Sequence, residues 1–489
     1  MSSKTLRATA LVLATALAVS GGAVSLLARG AAAPRRQSAL PKVSSVRHNG
    51  PKARWAVQIR PDVIHLGKAA SSPFSNGQCE AELQVACYTP GQLRQAYNVW
   101  PLYKKGITGK GETIVIVDSY GSPTVKHDLA VFDRAYHLSA PPSLRVIEPA
   151  GKVPAYNGSA NMAGWAGETD LDVEYAHVIA PGANILVVAT PTSENEGTTG
   201  FPQIVKAEEY VIDNHLGGVI SQSFSATEQT FPSAKSLLDL RSAYIDAAEP
   251  SNNVTVLAAS GDSGATDFEY NQTDYYDFSV TSWPDSDPLV TGVGGTELHL
   301  DATGKRTAPD TVWNDTYGAA ADSYGAGTEP SPLASGGGKS IIFARPAYQN
   351  KVANVVGARR GVPDVSMSAA CSGAVDAYQS FAGEPVGWYP TCGTSESVPL
   401  FAGVVALADQ LAGHPLGLIN PALYALSAAR APGIVDITKG NNTVSFVQGH
   451  KRYTVVGFTA KRGYDLASGV GTVDVAKFVP ELVAAEASQ

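Results

Sequence analysis

The sequence predicts an α/β fold of three layers, a central and mostly parallel sheet with helices on both faces. Three observations point there. Apolar runs of strand length alternate with longer helical stretches along most of the chain. Those runs read as nearly continuous hydrophobic segments, the pattern of strands covered on both faces. The 489 residues are 44% hydrophobic, ample for one large core.

The elements follow in chain order. Residues 1–33 read as a secretory leader, with Lys4 and Arg7 at its positive start, an apolar stretch over 8–19 and Ala31, Ala32 and Ala33 as a small-residue cut site. A signal anchor is the alternative, although Gly21 and Gly22 make it a poor membrane span. No later stretch is apolar and long enough to cross a bilayer, so a secreted, extracellular protein is expected. Residues 34–87 are basic, with Arg35, Arg36, Lys42, Arg47, Lys52, Arg54, Arg60 and Lys68 almost unopposed by acids. They read as a partly disordered extension or a short pro-segment. The main folded domain is expected over 88–489.

Thr89 and Pro90 form a helix start, an N-cap followed by proline at the first helical position. Residues 113–118 are a buried strand and 125–136 an amphipathic helix. Residues 184–189, 217–223 and 254–260 are further strands, separated by helices over 202–215 and 234–248. Residues 301–338, rich in Gly, Ser, Thr, Asp and Pro, are surface loops. The net charge of −8 argues against a nucleic-acid partner. Four cysteines in an exported chain imply two disulfides among three possible pairings. Proximity alone favours Cys79 with Cys87 and Cys371 with Cys392.

Three separated motifs carry chemistry. In PTCGTSESVPLFAG, Ser395 opens an apolar, buried helix running to residue 412, with Pro399 tolerable in its first turn. A hydroxyl at a helix N-terminus gains from the positive end of the dipole, which favours an alkoxide, although serine is also a common plain N-cap. In GWAGETDLDVEYAHVIAPGA, Glu168 and Asp172 are four apart and share one helix face. Two adjacent carboxyls resist double ionisation, so one holds a proton while the other accepts one. Asp170 and Glu174 point elsewhere and read as solvated acids. No histidine is set in a turn suited to a general base. His127 and His177 read as surface or boundary residues. In VTVLAASGDSGATD, Asp262 ends a strand in a tight turn; alone, Gly-Asp-Ser-Gly is an ordinary turn, or resembles a trypsin-type nucleophile at Ser263.

The frame Gly-Thr-Ser-x-x-x-Pro-x-x-Ala-Gly resembles the nucleophile segments of subtilisins and of sedolisins, the serine-carboxyl peptidases. The acidic helix and the Ser-Gly-Asp-Ser-Gly turn are similar to sedolisins, as are residues 290–296, 336–338 and 362–369, and the resemblance covers roughly 88–480. It implies a subtilisin-like fold, Ser395 as nucleophile, Glu168 as base, Asp172 as its partner and Asp262, protonated, as oxyanion donor. It also implies one structural Ca2+ held by Asp436, Asp465 and the carbonyls of Ile437, Lys461 and Gly463. This chain has Lys461-Arg462-Gly463-Tyr464-Asp465 where Gly-x-Gly-x-Asp is usual. Cys392 and Ser225 stand where glycines are usual, and residues 34–86 are too short and polar for the long folded propeptide the resemblance would lead one to expect. The expected function is an endopeptidase or tripeptidyl-peptidase working at acid pH through an acyl-enzyme. Protein or peptide substrates are its expected partners, with no nucleic acid, no membrane once the leader is removed, and a monomeric state. A neutral subtilisin-like protease and a non-catalytic binding protein of the same fold are the alternatives.

Overall fold

The computed structural model describes residues 64–194, 196–318 and 329–488. The leader at 1–33, the first part of the basic extension up to 63 and part of the predicted 301–338 loop lie outside the described residues.

The centre is an eight-stranded sheet. Its spine is Thr113–Ser119, flanked by Asn184–Thr190 on one side and Val219–Gln222 on the other, both parallel to it. The register pairs Ile114 with Ile185 and Val219, and Ile116 with Val187, so β-branched residues stack across the sheet; on its other side Ile116 pairs with Ser221. Thr255–Ala259, Thr291–Glu297 and Val365–Ser368 continue it in parallel, Leu144–Ile147 forms the opposite edge, and only Thr311–Val312 runs antiparallel. The predicted α/β fold is thus found, with the predicted strands as its core. Most crossings between the parallel strands run through helices, which cover the sheet, whereas Thr255–Ala259 and Thr291–Glu297 are joined by loops and one short strand.

Two of these helices are buried on almost every side. Ala160–Ile179 starts at Ser159, whose side chain accepts from the Met162 N–H. Thr394–Ala412 packs along it, and at their crossing a Cβ added to Gly403 would lie 2.6 Å from the Ile179 Cβ. That close approach explains the glycine at 403. Pro399 lies beyond the first turn, four residues after Ser395, and so withholds the N–H that would otherwise bond the Ser395 carbonyl.

Both disulfides take the pairing that proximity favoured, Cys79–Cys87 and Cys371–Cys392. A second, four-stranded sheet has the order Ile64–His65, Gly387–Cys392, Ala374–Gln379, Cys87–Tyr88. Residues 64–87, read from sequence as the end of an extension, form two of its strands and the helix Asn76–Glu82. Ile64, Leu66, Phe74 and Val85 from this stretch are buried against the body.

Candidate active site

The motif residues gather at the carboxyl ends of the parallel strands, where crevices open in sheets of this kind. Asp118 ends the spine strand, Ser223 follows Val219–Gln222, and the Ser260–Asp262 turn follows Thr255–Ala259. The two buried helices bring Asp172 to Ser223 and Thr394, next to Ser395, to Asp262 at the same end.

Ser395 is the second residue of its helix, after Gly393 at φ 126°, a backbone conformation that suits glycine. Its side chain is buried and Oγ has no hydrogen-bond partner. The Ser395 N–H belongs to the first turn, where helical N–H groups lack intrahelical acceptors.

Asp262 is tied to the residue before the serine. Its Oδ1 accepts from the Thr394 N–H at 2.7 Å and from Thr394 Oγ1 at 2.6 Å. Its Oδ2 is buried and makes no hydrogen bond. Burial pushes this carboxyl up to about 7, against the pull of the two Thr394 bonds. Below that pH Asp262 carries a proton, and Oδ2 is the oxygen left free to hold and donate it.

Glu168 and Asp172 lie on the buried helix, both fully shielded from solvent. Asp172 Oδ1 accepts from Ser223 Oγ at 2.8 Å, which links the helix to the end of a sheet strand. Burial, and then the negative field of Asp118, raise the Asp172 carboxyl well above the ordinary range. Asp118 is itself buried with both oxygens unbonded, and burial pushes it up to about 7. Sequence reading missed Asp118. The available signal was an acid directly after a run of four apolar residues in a buried strand.

Asp170 and Glu174 are not solvated, contrary to the sequence expectation. Both are buried, because the helix is enclosed on its other face by Val125–Tyr136 and the strand Ala374–Gln379. Burial is the main cause that raises both carboxyls; for Asp170 the neighbouring Asp128 adds to it, and Glu174 accepts from the Tyr378 N–H. His127 contacts Asp128, and His177 is buried against Asp133 and the Ser139 carbonyl. Ser263, the alternative nucleophile, lies in a turn of a parallel α/β sheet rather than in an all-β fold.

Among the described residues no group of three or more His, Cys, Asp or Glu side chains is arranged to hold a metal ion. The expected cation site has two carboxyls and three carbonyls. Its two loops meet where the Gly463 N–H donates to Asp436 Oδ2 at 3.0 Å. Asp465 is buried, and Oδ1 accepts from the N–H groups of Ala467 and Ser468. An all-oxygen set from two facing turns fits a hard cation in donor chemistry.

No helix among the described residues is long and apolar enough to cross a membrane. No family model matches the chain. Kumamolisin of Bacillus sp. (strain MN-32) is 33% identical over 410 residues, 81% of this chain and 64% of that protein. Sedolisin of Pseudomonas sp. (strain 101) is 30% identical over 314 residues, covering 64% and 48%. Tripeptidyl-peptidase 1 of Canis lupus familiaris is 27% identical over 418 residues, covering 81% and 64%. The chain therefore spans less than two thirds of the length of these curated relatives. The solved structure of Pseudomonas sedolisin, a serine-carboxyl proteinase complexed with pseudo-iodotyrostatin, matches with a TM-score of 0.66 at 24% identity, over 82% of this chain and 99% of that one.

Proposed function

This chain is a homologue of kumamolisin and sedolisin and has the sedolisin fold, and from that premise we propose that it is a secreted serine-carboxyl peptidase acting on peptide bonds at acid pH. The observation that carries the reading is the geometry at Asp262, buried, with one oxygen bonded to Thr394 beside Ser395 and the other free; burial there favours the uncharged acid up to about pH 7. An ionised aspartate cannot donate to an oxyanion; a protonated one can.

In the proposed reaction Ser395 Oγ attacks the substrate carbonyl carbon, and its proton passes to Glu168. The carbonyl oxygen becomes the oxyanion and accepts from Asp262 Oδ2–H and from the Ser395 N–H. Collapse breaks the C–N bond, and Glu168 returns the proton to the leaving amine, leaving an acyl ester on Ser395. Water then repeats the sequence with Glu168 as base. Asp172, whose proton is retained at acid pH by burial, leaves the negative charge on Glu168 and orients it from the shared helix face. The roles match those of Ser-His-Asp with carboxyls replacing imidazole.

Asp436, Asp465 and the carbonyls of Ile437, Lys461 and Gly463 would hold a structural Ca2+. It would neutralise two carboxyls that burial already makes reluctant to ionise.

The direct test is Ser395→Ala. Hydrolysis of a peptide library at acid pH should disappear while the circular dichroism spectrum is unchanged. Turnover persisting in the variant would exclude the mechanism.

A further inference from the structure

The hairpin Ala374–Gln379 and Gly387–Cys392 delivers the chain directly to Ser395, two residues beyond Gly393. Both outer edges of this hairpin are closed by residues 64–88. On one edge Ile64 pairs with Cys392 and His65 with Thr391, the Leu66 N–H donates to the Pro390 carbonyl at 2.8 Å, and Ala70 and Trp388 exchange two bonds of 2.9 Å. On the other edge Cys87 and Tyr88 lie parallel to Ala374 and Val375. Between them the Phe74 N–H donates to Asp376 Oδ2 at 2.8 Å, and Asn76–Glu82 is closed by a capping box at Ser75 and the Cys79–Cys87 disulfide. Ile64, Leu66 and Phe74 cover the Cys371–Cys392 disulfide. Removing this stretch would leave two unpaired strand edges and an apolar cluster exposed three residues from the nucleophile.

The same stretch reaches the base. A Cβ at Gly167 would lie 3.5 Å from His65 Nε2 and 3.1 Å from Gln379 Oε1, so glycine there permits the contact. Gly167 directly precedes Glu168. A glycine inside a helix costs about 1 kcal/mol against alanine, so close approach is the physical reason for one. The His65 ring packs on Tyr389 with centroids 4.7 Å apart.

We propose that residues 64–88 are a permanent strap of the working enzyme, that His65 is a positioning residue for the helix carrying Glu168, and that any maturation cut falls before Ile64. This deepens the peptidase reading and rests on it. The removable part of the basic extension is then confined to residues up to 63.

Three measurements decide it. The full chain is expressed in a secreting host, and the active species is weighed intact under denaturing conditions. Its first residue should fall at or before Ile64; a fully active species beginning after Tyr88 would overturn the proposal. Next, His65→Ala should lower kcat about tenfold with KM unchanged, because a small misplacement of a catalytic group acts on turnover rather than on binding. His65→Phe, which keeps a ring against Tyr389, should restore most of it. An unchanged kcat in His65→Ala, or a loss as complete as in Ser395→Ala, would refute positioning. Last, hydrogen exchange is followed in the uncleaved Ser395→Ala chain, which needs no peptidase activity. Slow exchange at Leu66, Ala70 and Phe74 is expected, and fast exchange would remove the strap even if the peptidase reading stands.

Discussion

Replacing Asp262 by asparagine separates the carboxyl's proton from its geometry. The amide oxygen can keep the two Thr394 bonds of 2.6 and 2.7 Å, and the amide nitrogen then donates from the Oδ2 position at every pH. In the wild type, burial moves this carboxyl from 3.8 to about 7, which is linked to about 4 kcal/mol of stability. The sign follows from a folded value above the unfolded one. The contribution is full below 3.8, where both states hold the proton, and is lost as pH rises towards 7. Catalysis moves the same way, since losing one oxyanion donor costs about 10²–10³ in kcat. A fluorogenic peptide assayed from acid to mildly alkaline pH, with denaturant melts at the same values, reads both effects. Asp262→Asn should keep its activity through neutrality and should show a flatter stability profile by up to about 4 kcal/mol. A variant whose activity falls at the same pH as the wild type would refute the claim that Asp262 donates to the oxyanion.

Two further perturbations test other parts of the account. Glu396, buried directly after Ser395, is pushed by burial from 4.5 to about 8, so it favours the fold most below 4.5 and loses that contribution as pH rises towards 8. Glu396→Gln should narrow the stability gap between acid and neutral pH by about 3 kcal/mol in denaturant melts, and an unchanged gap would place the effect elsewhere. Chelation of calcium should lower the melting temperature of the wild type by several degrees, while Asp465→Asn should melt lower and ignore the chelator. A wild type indifferent to chelator would remove the cation from the account.

The fold was legible because its parallel strands are continuous apolar runs, and the buried helix of Ser395 because residues 398–408 are apolar at nearly every position. Proximity sufficed for the disulfides, whose loops are short. The strap was not legible. Its buried residues, Ile64, Leu66, Phe74 and Val85, are sparse among charged and small ones, and the cluster they join includes Cys371, Ala374 and Cys392, some 300 residues away. Asp170 and Glu174 were misread for a related reason. An i, i+4 argument assigns one inward face to a helix, but from Trp165 to Ile179 this helix is buried at every residue and has no outward one. Asp118 belongs with them, since only the assembled sheet end places it beside Asp172.

The most direct measurement of the central claim is the acylation burst of Glu168→Gln at acid pH, followed in a stopped-flow instrument with an activated peptide ester. A glutamine keeps the shape of the buried side chain but cannot accept the serine proton. The account expects the burst rate to fall about 10²–10⁴-fold while the melting temperature holds near that of the wild type. A burst of undiminished rate in a folded Glu168→Gln protein would contradict it.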